Sequence, residues 1–225
     1  MSNTPTVPTP ASAADDPLLR SAMQRAIDLA RRGWGRVAPN PLVGAVVVSE
    51  RLVVGDGWHA EFGGDHAEIV ALRKAGERAR EATLIVTLEP CAHQGKTPPC
   101  VDAIRAAGIS RVVVAVRDPD RAARGGADVL RSAGIVVETG VMADAPAALM
   151  APFLFAREQP TRPFLALKLA TSIDARIADA GGRSQWISGP QAQSWTHWLR
   201  AGFDAVAIGA ETARRDDPLL TVRGG

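Results

Sequence analysis

One histidine, one glutamate and two cysteines have the types and the spacing of a metal-dependent hydrolytic site. His66 and Glu68 stand two apart in the string HAE, Cys91 follows Pro90 directly, and Cys100 comes nine residues later. One imidazole and two thiolates form a three-ligand zinc set with an open fourth position, which is typical of catalytic rather than structural zinc. Zinc lowers the pKa of its bound water to about 7, and a glutamate two residues from a ligand can move the proton.

The separation of the two cysteines departs from the general zinc-deaminase signature, which is HxE followed by PCxxC. Eight residues, AHQGKTPP, lie between Cys91 and Cys100, where the signature has two. A single buried cysteine, or a single HxE at an exposed helix start, is more often structural than functional. Here the HAE string, the PC pair and the second cysteine fall at ends of successive predicted elements, which places two helix amino ends at one site. Together they predict a zinc site.

The elements expected around these residues form a layered α/β domain. Asp16 followed by Pro17 is typical of a helix start, and this helix is expected to end at Gly33. Two short strands, VGAVVVS and LVVGDGW, are separated by two residues and indicate a hairpin. Helices and strands then alternate as in crossover units. In chain order they are a helix over 66–79, a strand over 83–89, a helix over 98–107, a strand over 111–116, a helix over 128–133, a strand over 135–139 and a helix over 144–155.

A second and smaller domain is expected after the string REQPTRP, whose prolines and charges are typical of a linker. The predicted division is a disordered tail at 1–17, a first domain at 18–156, a linker at 157–162 and a second domain at 163–225. The second domain is expected to hold a strand over 164–170, a helix over 190–201, a strand over 204–210 and a turn over 211–218. A 63-residue piece is marginal as an independent unit.

Composition narrows the class of protein. Hydrophobic residues at 46% and charged residues at 22% are typical of a globular chain and exclude wholesale disorder. The apolar runs are strand-sized and the first 17 residues lack a secretory pattern, so a soluble, cytoplasmic protein is expected. The 26 basic and 24 acidic residues are evenly spread, which argues against a nucleic-acid partner. Two cysteines without a signal peptide argue against a disulfide scaffold.

The sequence resembles the bifunctional deaminase and reductase family of riboflavin biosynthesis. LEPCAHQGKTPPC, from Leu88 to Cys100, is similar to the cysteine segment of that family, and its eight-residue insert is the family's hallmark. PNPLVGAVVV and GWHAEFGGDHAE resemble two upstream segments, while LKLATSIDARIA, SQWISGPQA and DDPLLTVR resemble the start of the reductase domain. The resemblance implies a cytidine-deaminase-like three-layer sheet with helices on both faces, followed by an incomplete dihydrofolate-reductase-like α/β domain.

The resemblance also implies roles for residues of the first domain. It makes His66, Cys91 and Cys100 the zinc ligands and Glu68 the general acid and base. The substrate-binding residues that it implies are Asn40, His59, His93 and Lys96. A cation on a glycine-containing insert beside a helix start is a plausible cradle for a substrate phosphate.

For the second domain the resemblance implies residues near NADPH and residues near the reductase substrate. The NADPH set is Lys168, Ala170, Trp186, Thr212 and Asp216, and the substrate set is Ser184, Arg200, Leu220 and Arg223. The sequence departs from the family at Ala175, where glycine is usual, and at Asp65 and Arg121, where proline is usual. Because later glycine-rich segments of the family are missing, we expect weak or absent NADPH binding and no detectable reduction.

The expected function is zinc-dependent hydrolytic deamination of 2,5-diamino-6-(5-phosphoribosylamino)pyrimidin-4-one in riboflavin biosynthesis. The expected partner is this small phosphorylated pyrimidine, with no nucleic acid and no membrane, and a homo-oligomer is allowed. One alternative is a deaminase of nucleosides or tRNA bases with the same metal set, which the even charge and the long insert disfavour. The other is a non-catalytic scaffold stabilised by zinc, which would have little need for Glu68.

Overall fold

The computed structural model describes residues 12–94, 98–120 and 125–223. The helices within these ranges are α1 (Pro17–Ala30), α2 (Ala67–Ala75), α3 (Cys100–Ala106), α4 (Gly126–Ser132), α5 (Asp144–Leu149), α6 (Ala151–Glu158), α7 (Pro190–Ala201) and α8 (Ala210–Asp216). The strands are β1 (Gly44–Ser49), β2 (Leu52–Trp58), β3 (Thr83–Leu88), β4 (Arg111–Val116) and β5 (Val136–Thr139). The order of elements from α1 to β5 is the predicted one.

The five strands form one mixed sheet in the order β2-β1-β3-β4-β5. β1 is antiparallel to β2 and to β3, whereas β3, β4 and β5 are parallel. The predicted hairpin forms, and its two turn residues, Glu50 and Arg51, both adopt left-handed backbone angles (φ 49° and 63°). That conformation matches the twist of a two-residue hairpin, although glycine or asparagine is the usual residue there. The segments that follow β3 and β4 emerge at the same edge of the sheet.

Helices cover both faces of the sheet, as predicted. Asp16 caps α1 by accepting a hydrogen bond from the N–H of Leu18 at 2.8 Å. Alternate residues of β1 enter different clusters: Val46 belongs to the cluster that includes α1, whereas Val47 belongs to the cluster that includes residues of α2, α3 and α4. Such period-two burial on both faces is what a central strand of a three-layer domain requires.

The predicted helix over 144–155 is two helices, α5 and α6, that meet at Met150 (φ −93°, ψ 10°). Pro152 lies in the first turn of α6, where a missing N–H is tolerated, whereas the interior of one continuous helix would lose a hydrogen bond there. α6 also runs to Glu158, past the predicted domain boundary at 156.

The predicted tail is too long at its carboxyl end. Ala13 is fully buried, and its N–H donates to the Glu138 carboxylate at 2.8 Å. Ala13 therefore ties this segment to the domain, because its backbone donor has a partner on β5 and its methyl group packs in the cluster that contains α1. The rest of the predicted tail, 1–11, lies outside the described residues.

Three predicted elements of the second domain are wrong. The segments 164–170 and 204–210 form no strand in the described part of the chain, and residues 211–218, predicted as a turn, lie largely in α8. A strand is stabilised by hydrogen bonds to a neighbouring strand, which these segments lack among the described residues, and Leu165 and Leu167 are each 84% exposed. The predicted helix over 190–201 is confirmed as α7.

α7 packs on the first domain through Trp34. The indole N–H of Trp34 donates to the carbonyl oxygen of Trp198 at 2.8 Å, and the two rings stack with centroids 4.9 Å apart. Gly202 lies so close that a Cβ there would approach the Trp34 ring to 2.1 Å. Along the described ranges, none of the helices has both the length and the apolar character that crossing a membrane requires.

Candidate zinc site and its pocket

His66, Cys91 and Cys100 lie together as a candidate metal centre. His66 precedes α2, Cys91 follows β3 by three residues, and Cys100 is the first residue of α3. Their donor atoms all lie within 4.8 Å of one another, and no second such group occurs in the described ranges. The Nδ1 atom of His66 is 3.2 Å from the Cys100 sulfur and 3.7 Å from the Cys91 sulfur.

This donor set fits zinc. Zn–N bonds of about 2.0 Å and Zn–S bonds of about 2.3 Å at tetrahedral angles separate nitrogen from sulfur by about 3.5 Å. The two observed N···S distances, 3.2 and 3.7 Å, lie on either side of that value. Thiolate and imidazole are the ligands that zinc prefers, and three of them leave a fourth position for a reacting group.

Without a metal, the three donors of the cluster differ in how tightly they hold their protons. The hydrogen bond with the Cys100 thiol, together with that to His66, outweighs burial and lowers the pKa of Cys91 to about 4. The same thiol pair, reinforced by burial, raises the pKa of Cys100. The hydrogen bond to Cys91 raises the pKa of His66 against the effect of burial. One thiolate is thus already favoured, and a divalent cation would favour the second because metal ligands bind deprotonated.

Glu68 lies in the first turn of α2, and its side chain is buried. Burial raises the pKa of this carboxyl group, and the nearby His66 opposes the shift by favouring the carboxylate. A buried carboxyl whose pKa moves toward neutrality can accept and then return a proton under physiological conditions. Glu68 therefore has the location and the chemistry of a general acid and base.

Asn40 and His59 form a hydrogen-bonded pair beside the metal ligands. His59 Nδ1 donates to the backbone oxygen of Asp65 at 3.0 Å, which leaves His59 Nε2 to accept from the Asn40 amide nitrogen at 3.1 Å. Burial lowers the pKa of His59, and the charge of nearby His66 adds to the effect, so the ring is neutral at pH 7. The Asn40 amide is thereby oriented, with its carbonyl oxygen left to accept from a ligand.

These groups share one cavity of about 270 Å³. Six predicted site residues line it: Asn40, His59, His66, Glu68, Cys91 and His93. Cys100 is fully buried, and Lys96 lies outside the described residues. Two aromatic rings, those of Phe62 and Phe153, add flat apolar surface to the lining. The size and the mixed lining suit a small heterocycle.

Several lining residues were missed by the sequence analysis. They are Phe62, Glu89, Asp118, Asp120, Phe153 and Arg157. Glu89 and Asp118 had a usable signal, because each follows a parallel strand and the carboxyl ends of such strands meet at one edge. Burial raises the pKa of Asp118, with Asp120 and Glu89 adding repulsion. Phe153 and Arg157 had no local signal, since they reach the cavity from α6 near the predicted linker.

The residues predicted to bind NADPH and the reductase substrate do not line the cavity described above. Trp186 is 78% exposed, and Lys168, Ser184, Thr212 and Asp216 are also exposed. The segment that contains Leu220 and Arg223 does contact α7, where the Arg200 guanidinium donates to the Thr221 carbonyl at 3.3 Å. Ala170 is partly buried. The roles of these residues stay predictions.

Comparison with known proteins agrees with the fold and the metal site. Residues 18–116 match the cytidine and deoxycytidylate deaminase zinc-binding region, and residues 163–225 match the RibD C-terminal domain. The first part of the chain is thus a zinc-binding deaminase domain. The riboflavin biosynthesis protein RibD of Synechocystis is 48% identical over 203 residues, which cover 90% of this chain and 55% of that protein. The Escherichia coli RibD is 47% identical over 202 residues, or 89% of this chain and 55% of that protein.

Solved structures of RibD proteins are similar to this chain in fold and in sequence. A Thermotoga maritima diaminohydroxyphosphoribosylaminopyrimidine deaminase/5-amino-6-(5-phosphoribosylamino)uracil reductase superposes with a TM-score of 0.81 at 44% identity, covering 92% of this chain and 59% of that one. Acinetobacter baumannii RibD superposes with a TM-score of 0.77 at 45% identity, covering 91% and 58%. The chain belongs to the RibD family of riboflavin biosynthesis. It spans little more than half the length of these relatives.

Proposed function

We propose that this protein hydrolytically deaminates 2,5-diamino-6-(5-phosphoribosylamino)pyrimidin-4-one, releasing ammonia and leaving a uracil-type ring. The observation that supports this most is the buried Glu68 carboxyl beside the His66, Cys91 and Cys100 donors, in one cavity with the Asn40–His59 pair. Proton transfer, metal binding and ring recognition are thus available within a single site.

His66, Cys91 and Cys100 would hold the zinc ion. When bound, the ion acts as a Lewis acid that makes water a nucleophile near pH 7. The oxygen of water adds to ring carbon 2, which bears the amino group that is removed. Glu68 accepts one proton from the water and then donates it to the departing nitrogen. The carbon–nitrogen bond breaks and ammonia leaves. The second proton of the water moves from the oxygen to the adjacent ring nitrogen as the carbonyl forms, so Glu68 ends in its starting state.

Ring orientation is assigned to Asn40. Because the Asn40 amide nitrogen donates to His59, its carbonyl oxygen faces a ligand as an acceptor, which suits an N–H or amino group of a pyrimidine. His93 and Lys96 on the insert remain the proposed partners of the 5′-phosphate, with His93 at the exposed rim of the cavity. The pyrimidine would lie between this rim and the metal donors.

A partial NADPH-dependent reductase function is proposed for residues 163–225 from their match to the RibD C-terminal domain. The predicted NADPH and substrate residues there keep the roles given above. A cytoplasmic location and a homo-oligomeric state likewise stay predictions.

The test is a mass-spectrometric assay with the phosphorylated diaminopyrimidine, run with and without NADPH. Deamination without NADPH, abolished in Glu68→Gln while zinc content and fold persist, is the expected result. A Glu68→Gln protein with full turnover would favour the non-catalytic scaffold. Turnover of cytidine or a tRNA in place of the diaminopyrimidine would favour the nucleoside or base deaminase.

A further inference from the structure

We infer that Arg157, on α6, is a specificity-determining residue that binds the phosphate of the substrate at the mouth of the deaminase cavity. The inference rests on the proposed function, because it assumes a phosphorylated substrate. Arg157 lies outside both regions that match family models, residues 18–116 and 163–225. The deaminase site would then be completed by the helix that follows the sheet.

The placement of α6 supports this role. Phe153 and Arg157 are four residues apart, so they share one face of the helix, and both line the cavity. The Arg157 guanidinium lies over the Phe153 ring, 5.2 Å from its centroid. Its side chain is 44% exposed, so it is accessible from solvent while the ring restricts its orientation.

The charge of the described cavity lining favours a cation beside the phosphate, in addition to the proposed contribution of His93 and Lys96. The described lining includes four carboxyl groups and, among arginines and lysines, Arg157 as its single member. Those carboxyl groups belong to Glu68, Glu89, Asp118 and Asp120. A phosphate that carries up to two negative charges is repelled by such a lining unless a fixed cation offsets it, because Coulomb energies grow in a partly desolvated site.

The ion pair that Arg157 forms with Asp120 leaves N–H groups of the guanidinium available for a phosphate. Its Nη1 atom is 3.4 Å from the Asp120 carboxylate, which is a long contact for an ion pair between charged groups. A guanidinium has five N–H donors in a planar fork, and two of them can bind two phosphate oxygens at once. The pair with Asp120 thus orients the arginine without using the whole fork.

The decisive experiment compares Arg157→Gln and Arg157→Lys with Arg162→Gln, a control that removes an exposed arginine five residues along the chain and away from the cavity lining. KM and kcat are measured with the phosphorylated substrate and with its dephosphorylated analogue. We expect Arg157→Gln to raise KM for the phosphorylated substrate about tenfold and to leave KM for the analogue within twofold. Arg157→Lys should fall between, since it keeps the charge and loses the fork.

Equal increases in KM for both substrates, or none, would overturn the assignment. Binding of ribose 5-phosphate to the intact zinc-loaded protein by calorimetry separates this inference from the proposed function, since no turnover is needed. The wild type and Arg162→Gln should bind it, and Arg157→Gln should bind about tenfold more weakly. Failure of the wild type to bind, or unchanged binding by Arg157→Gln, refutes the phosphate role, whereas binding without deamination of the diaminopyrimidine refutes only the proposed function.

Discussion

Glu89 provides the sharpest test of how the Cys91 segment is held. Its buried carboxylate accepts three backbone hydrogen bonds, from the N–H groups of Gly125 at 3.1 Å, Ala127 at 2.9 Å and Asp118 at 3.2 Å. Glu89 thus joins the end of β3 to the segment after β4 and to the start of α4. Because Cys91 is two residues further on, this carboxylate also fixes the backbone that presents a candidate zinc donor.

Glu89→Gln changes the charge and one acceptor while keeping the shape. The amide oxygen can replace Oε1, which accepts from Gly125 and Ala127, so the amide nitrogen must face the N–H of Asp118. One buried donor is then left without an acceptor at a cost of about 1–3 kcal/mol, and two charge-assisted bonds become neutral at roughly 0.5–1 kcal/mol each. The sum is about 3 kcal/mol, which corresponds to a fall in Tm of roughly 6–12 °C for a chain of this size.

The assay is thermal unfolding of the zinc-loaded protein at pH 7, followed by far-ultraviolet circular dichroism. Glu77→Gln is the matched control, since Glu77 is exposed, and its Tm should stay within 2 °C of the wild type. Zinc affinity, measured by competition with a chelator, should also fall about tenfold or more in Glu89→Gln because the ligand backbone is less constrained. A Glu89→Gln protein with the Tm and zinc affinity of the wild type would refute this account.

Cys100→Ser should bind far less than the one zinc per chain expected of the wild type by elemental analysis, and undiminished zinc would remove Cys100 from the ligand set. Burial raises the pKa of Asp56, but hydrogen bonds from Lys74 and Arg25 outweigh it and lower the pKa below the usual 3.8. Asp56→Asn should therefore lower the free energy of unfolding by about 0.5–1 kcal/mol at pH 7. The difference in this free energy between wild type and variant should close as pH falls below about 4, and a constant difference in urea unfolding from pH 7 to 3 would contradict this. Ala175 has a left-handed backbone (φ 62°), so Ala175→Gly should stabilise its turn by about 1 kcal/mol and slow amide hydrogen exchange there, and faster exchange would argue against strain.

Ala175 also shows how a departure from a family pattern gains a structural meaning. The sequence analysis noted that glycine is usual at this position, and the left-handed angle gives the reason, since a Cβ is disfavoured there. At Asp65, where proline is usual, the backbone oxygen accepts from His59 and the carboxylate pairs with Arg73 at 2.6 Å. Arg121, the third departure, lies outside the described residues.

Local patterns in the sequence determined much of the first domain. The Asp16–Pro17 cap, the strand-sized apolar runs and the spacing of His66, Cys91 and Cys100 are encoded by neighbours along the chain, so the elements and the grouping of the candidate zinc donors were predictable. The strand prediction at 164–170 failed because an apolar alternation specifies a strand only when a neighbour supplies hydrogen bonds.

Only the tertiary structure showed what completes the cavity. Glu89 reaches α4 across 36 and 38 residues, and Phe153 and Arg157 approach His66 from a helix more than 80 residues away in sequence. Which residues face a cavity depends on how helices pack against the sheet, and no periodicity in α6 distinguishes its cavity face from another buried face. Sequence spacing therefore identified the candidate zinc donors and Glu68, whereas packing decided which further groups line their cavity.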